Sequence, residues 1–206
     1  MGELRLLTGI TSLAMLLSFG LWVGMVVYVV ARWRAYREGA SADPQLGLKT
    51  AVAMFLTLAF QALLVGGFVL AWAVFTDQGS DGRSDLMRQA FALLVPAGLV
   101  FAAHFVLLQR TNALSLPLVP RMFAGVSLIV TGLIGFIALL MLFQVLFKRG
   151  DAGEEGRTAL AAALVYTSAW VVQGLRFVKR VAQGSPPADV QQYARPVPPP
   201  LVPPPS

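Results

Sequence analysis

No cysteine occurs in the chain, which excludes disulfides, thiolate metal sites, cysteine nucleophiles and palmitoyl anchors. Charge is scarce too: Asp, Glu, Lys and Arg make up 13% of 206 residues, against about 25% in soluble domains. Histidine occurs once, as His104, whereas a metal site or a bis-histidine haem needs more than one imidazole. The HExxH, GxxxxGK and GxSxG signatures are missing, and with them the usual marks of zinc peptidases, phosphate loops and hydrolase elbows. No acid–base pair stands out, so the sequence predicts no enzyme, no cofactor and no metal. The net charge of +6 does not point to nucleic acid, because no basic stripe is interleaved with base-stacking aromatics.

What the chain has instead is apolar length. Hydrophobic residues make up 57% of it, gathered in long runs without Asp, Glu, Lys or Arg and separated by short polar loops. The stretch from Thr50 to Thr76 is the type of the rest: uncharged throughout, with Gln61 near its middle. As a helix rising about 1.5 Å per residue it crosses a hydrocarbon core of roughly 30 Å with some tilt. Lipid is the solvent this composition suits. The expectation is an all-α, polytopic membrane helix bundle with no sheet, since an open sheet leaves unpaired edges in lipid.

Five runs are expected to form membrane helices, near residues 7–31, 46–76, 85–110, 121–148 and 157–180. The first ends in Arg32-Trp33-Arg34-Ala35-Tyr36-Arg37, a charged and aromatic stop. It is too long for a signal-peptide core, so a retained helix is expected. Within it, Gly20 and Gly24 form a GxxxG pattern that lets a neighbouring helix approach closely, as in a dimer; chance glycines in a glycine-rich membrane helix are the alternative reading. Asp43-Pro44 reads as the N-cap and first position of the second helix. Ser84 or Asp85 reads as the cap of the third, which contains Pro96, a helix-kinking residue, and His104. In the fourth run Ser127, Thr131 and Gly135 follow at four-residue spacing, a small-residue ridge for helix packing. The fifth run, residues 158–174, is at the short edge for a span. Its alternative is an amphipathic helix lying on the membrane surface, giving four spans plus an interfacial helix.

Residues 1–183 thus form the expected bundle, and 184–206 a different segment. Nine of the 13 prolines lie in that tail, which suits polyproline II or disorder and cannot build a core. Its PxxP spacings, 196–199 and 200–203, admit a tail-binding partner as well as a plain solvated linker.

Orientation follows from Lys and Arg. With five spans, Arg32, Arg34, Arg37, Lys49, Arg110, Arg121, Arg176, Lys179, Arg180 and Arg195 fall on one side. Arg5, Arg83, Arg88, Lys148, Arg149 and Arg157 fall on the other. Ten against six places the N-terminus outside and the C-terminus in the cytoplasm of a multi-pass protein of the cell inner (plasma) membrane. Were the fifth run not to span, the count would reverse.

The uncharged runs contain few polar side chains. Gln61, His104, Gln173, Thr57 and Thr131 fall within one layer near mid-membrane, and Gln61 and His104 are expected to pair across the second and third helices. Such a layer serves either as structural glue or as a small polar cavity with a titrating histidine. Two functional classes follow. One is a non-catalytic subunit or scaffold with a protein partner, or a homo-oligomer, within the bilayer. The other is a small oligomeric channel or transporter lined at Gln61, His104 and Gln173.

Overall fold

The computed structural model describes residues 2–37, 43–111, 118–148 and 153–182, with side chains between 18 and 179 in those segments. Five helices follow one another: α1 (Gly2–Arg37), α2 (Leu46–Phe75), α3 (Ser80–Gln109), α4 (Leu118–Phe147) and α5 (Gly153–Ala182). Among the described residues there is no strand. In hydrocarbon a helix satisfies its own backbone groups, which is why long uncharged sequence takes this form. Helices α2 to α5 each have 30 residues, about 45 Å, so their ends project beyond a core of about 30 Å. These four are long and apolar enough to cross a membrane. The tail from 183 onward lies outside the described residues.

Lipid is also the solvent the surface fits. Trp22, Leu99 and Ile129 are each more than two-thirds exposed, and many other large apolar side chains face outward beside them. Apolar burial against lipid gains little, so the helices hold together by close packing and interhelical hydrogen bonds.

Helix α2 is the hub. It packs against all four other helices, whereas α3 packs against α2 alone among the described elements. Helices α1 and α5 each also touch α4. Gly24 faces Met54, where an added Cβ would lie 3.1 Å from its sulfur, and Gly20 faces Leu58 in the same way at 2.9 Å. The GxxxG face of α1 is therefore filled by α2 of the same chain, not left open for a second copy. At that end of the bundle Val27 and Ala31 meet Leu46, Met54, Val119 and Phe123 in the buried core.

Helix α5 packs lengthwise against α4 and α2. Trp170 lies over Gly132, and the backbone of Tyr166 and Thr167 passes 3.3 Å from where a Cβ on Gly135 would sit. Ala159, Ala161 and Ala163 are buried, their small side chains allowing the approach. A helix lying flat on the membrane surface would not follow two spanning helices in this way, so the interfacial alternative is set aside.

Two helix starts differ from expectation. Helix α3 begins at Ser80 after Gly79 as N-cap, which places Ser84 and Asp85 inside its first turns rather than at its cap. Helix α2 begins at Leu46 after Gln45, with no side-chain cap. Asp43 accepts the Gln45 N–H at 2.9 Å through Oδ1, a local turn that ends before the helix starts. Its Oδ2 is taken by Lys49 Nζ at 2.6 Å. The Leu46 N–H goes to the Asp43 carbonyl at 3.2 Å, and the four-residue ladder starts with the Lys49 N–H on the Gln45 carbonyl at 2.9 Å, so a turn separates Asp43 from the first helical residue.

Candidate functional site

The middle of the bundle contains one polar layer. Gln61 Nε2 on α2 donates to Ser127 Oγ at 3.0 Å and to Thr131 Oγ1 at 3.2 Å, both on α4. Ser127 Oγ donates to Gln173 Oε1 on α5 at 3.1 Å, and Gln173 Nε2 donates to Thr131 Oγ1 at 3.3 Å. Ser127 and Thr131 are buried. Three helices are thus joined through four side chains, at about 0.6–2 kcal/mol for each interhelical bond.

Proton accounting fixes how Gln61 lies. Ser127 and Thr131 own one hydroxyl proton each. Were the Gln61 amide turned over, its oxygen would consume both protons and a contact to Gln173 would lose its donor. All four bonds survive only with Nε2 toward α4, and Gln61 Oε1 then has no partner among the described residues.

Of the residues expected in this layer, the structure brings together Gln61, Thr131 and Gln173. Thr57 bonds the Ala53 carbonyl of its own helix at 2.8 Å. His104 does not meet Gln61. Its Nδ1 lies 2.8 Å from the Val100 carbonyl, and its ring packs on Phe55 with centroids 5.3 Å apart. A carbonyl only accepts, so this nitrogen carries the proton. The reason for the miss is rotational: α3 packs on the face of α2 that carries Phe55 and Phe60, the latter against Phe101. Gln61 is one residue further on, about 100° around the helix, and faces α4 and α5.

Sequence reasoning groups Ser127 with Gly135 as a packing residue and leaves it out of the polar layer. Its four-residue offset from Thr131 puts both hydroxyls on one face, which is the signal that is there to read. Tyr166 escapes notice in the same way. It precedes Gln173 by two helical turns, hence on the same side of α5, and it is 6% exposed.

Beside the layer, a cavity of about 180 Å³ lies between α1, α2 and α4, with Tyr166 of α5 in its wall and Gln61 and Ser127 beside it. No family model, no curated protein and no solved structure matches the chain. The geometry alone must carry the functional reading.

Two further polar assemblies tie the ends of the bundle. At one end lies the Asp43–Lys49 pair, whose side chains are 3% and 0% exposed. At the other, Glu154 Oε1 on α5 accepts from Trp72 Nε1 and from Thr76 Oγ1, each at 2.8 Å. Arg157 pairs with Asp77 there. Among the described residues no group of three or more metal-ligating side chains occurs.

Proposed function

We propose that the chain is a non-catalytic subunit or scaffold of a membrane complex, with its N-terminus outside and its Pro-rich C-terminus in the cytoplasm of the cell inner membrane. The observation that carries this reading is the closed layer of Gln61, Ser127, Thr131 and Gln173. Their side chains bond one another across α2, α4 and α5, as polar side chains do when they fix which helices touch. Helix α3 adds support: among the described elements it leans on α2 alone and turns Phe91, Val95, Leu99 and Val106 outward, a long face available to lipid or to a partner helix. A catalytic role is disfavoured because His104, the single imidazole, has its Nδ1 committed to a backbone carbonyl and its ring against Phe55.

A small oligomeric channel or transporter is the second reading, favoured by the cavity beside Gln61. The separation of His104 from Gln61 and Gln173 weighs against the polar path that reading needs. Affinity purification in mild detergent, with and without residues 185–206, separates the two. Stable co-purifying proteins are expected. A lone homo-oligomer that conducts or transports after reconstitution would overturn the scaffold reading.

A further inference from the structure

The two ends of the bundle treat their cations differently. At the end where α3 and α5 begin, Arg88, Lys148 and Arg157 each lie against a carboxylate. At the opposite end, where α1 stops and α2 begins, Asp43 is the one carboxylate among the described residues, and Lys49 takes it at 2.6 Å. No ion pair reaches Arg32 or Arg37 among the described residues. Both guanidinium groups are nevertheless held. Arg32 Nη1 donates to the Tyr28 hydroxyl at 3.0 Å, and Tyr28 packs on the buried core shared by α1, α2 and α4. The Arg37 guanidinium lies over the Trp33 ring, 5.0 Å from its centroid, an attraction that leaves its charge in place. An arginine keeps N–H donors to spare in such contacts, in a fork that fits phosphate oxygens.

At about 100° per residue, Arg32, Trp33, Tyr36 and Arg37 lie within an arc of about 140° around α1. Val27 and Ala31, buried against α2 and α4, take the opposite side. Deeper in the membrane the same arc carries Trp22, Met25, Val26 and Val29, each more than half exposed. Tyr36 is 85% exposed, so no described element covers the charged end of this face. From the surface inward the face offers cations, then aromatic rings at the level they prefer, then an apolar strip. A phospholipid presents phosphate, ester and acyl chain in the matching order.

We propose that this face of α1 is a docking site for anionic phospholipids, with acyl chains on the strip and phosphates on Arg32 and Arg37. The two guanidinium groups need not share a phosphate, since neighbouring lipids can each supply one. A zwitterionic headgroup brings its own cation, whereas a headgroup of net negative charge supplies the countercharge that the described residues lack. The proposal stands for either orientation of the chain and with or without protein partners.

The test uses the full chain with Trp72 and Trp170 replaced by Phe, so that Trp22 and Trp33 on this face report. Dibrominated phosphatidylglycerol or dibrominated phosphatidylcholine is placed at equal mole fraction in phosphatidylcholine nanodiscs. Quenching, normalised to unbrominated lipid, gives the relative occupancy of the face. Phosphatidylglycerol is expected to be preferred at least about threefold, given roughly fivefold for each exposed arginine at an anionic surface. Arg32→Gln with Arg37→Gln should abolish that preference. If this double variant does not fold, Arg37→Gln alone should lower the preference about twofold. Arg110→Gln with Arg176→Gln removes the same charge at the same end from α3 and α5, which do not pack on α1, and should leave the preference unchanged. Inorganic phosphate at matched ionic strength should not displace the lipid. Equal quenching by the two lipids, an unchanged preference in the Arg32 and Arg37 variants, an equal fall in the Arg110 and Arg176 variant, or displacement by inorganic phosphate would each overturn the proposal.

Discussion

Lys49 Nζ lies 2.6 Å from Asp43 Oδ2, and neither side chain reaches solvent. Removing one member takes the nearest countercharge from a buried group, which costs about 3–5 kcal/mol in buried pairs, whereas replacing both by neutral groups of similar volume is often close to neutral. Lys49→Met is therefore expected to destabilise the bundle strongly. Lys49→Met combined with Asp43→Asn should recover most of the loss, because the asparagine side chain retains an oxygen for the Gln45 N–H. Thermal unfolding in detergent, followed by helical circular dichroism, measures both. A double variant as unstable as the single one would show that the pair itself, not the stranded charge, holds α2 in place.

The midplane layer makes a prediction about coupling. Gln61→Leu and Thr131→Val each remove hydrogen bonds from one network, at about 0.6–2 kcal/mol for each bond, and should be non-additive when combined. Among the described residues His104 bonds only its own helix, so Gln61→Leu with His104→Leu should add to within about 0.5 kcal/mol. A double-mutant cycle in denaturant resolves the two cases. Strong coupling of Gln61 to His104 would contradict the packing of α3 on the Phe55 and Phe60 face.

These two sites show how far the sequence could be read. The helices were legible because an uncharged run and a charged stop follow from the solvent alone, and because four-residue spacing placed Ser127, Thr131 and Gly135 on one face. The rotation of one helix against its neighbour was not. Depth along the membrane is set by residue number, and it put His104 and Gln61 at compatible levels, but the face of α2 taken by α3 depends on packing such as Gly66 beneath Leu94. Lys49 read as a loop-end charge because local sequence does not reveal that Asp43 folds back six residues to meet it. The Glu154 clasp likewise joins residues 78 or more positions apart.

The α4–α5 contact gives two substitutions of opposite sign. A Cβ on Gly135 would meet backbone atoms of Tyr166 and Thr167 at 3.3 Å, which cannot swing aside as a side chain does. Gly135→Val should cost about 1–3 kcal/mol through overpacking. The neighbouring Thr167 hydroxyl is sealed without a partner, so the isosteric Thr167→Val should leave stability unchanged or raise it by about 1 kcal/mol. Melting temperatures in one detergent rank the three proteins. A destabilising Thr167→Val would indicate an unseen partner for that hydroxyl.

The clasp at the far end gives the last prediction. Thr76 is 1% exposed, and its hydroxyl donates to Glu154 Oε1, which also receives the Trp72 indole N–H. Glu154→Ala leaves a buried hydroxyl without its acceptor, at about 1–3 kcal/mol, and frees the indole. Glu154→Gln keeps an oxygen in place but gives up the charge, so its two hydrogen bonds weaken by about half and a smaller loss is expected. Trp72 also reports on the site directly. With Trp22, Trp33 and Trp170 replaced by Phe, its emission should shift in Glu154→Ala and much less in Glu154→Gln. Trp170 packs over Gly132, and Trp170→Phe trims that contact, so the triple-Phe protein serves as the reference against which both Glu154 variants are read. Equal losses in the two Glu154 variants would mean that charge, acting through Arg157 at 3.8 Å, holds α5 to α2 and that the hydrogen bonds to Trp72 and Thr76 contribute little.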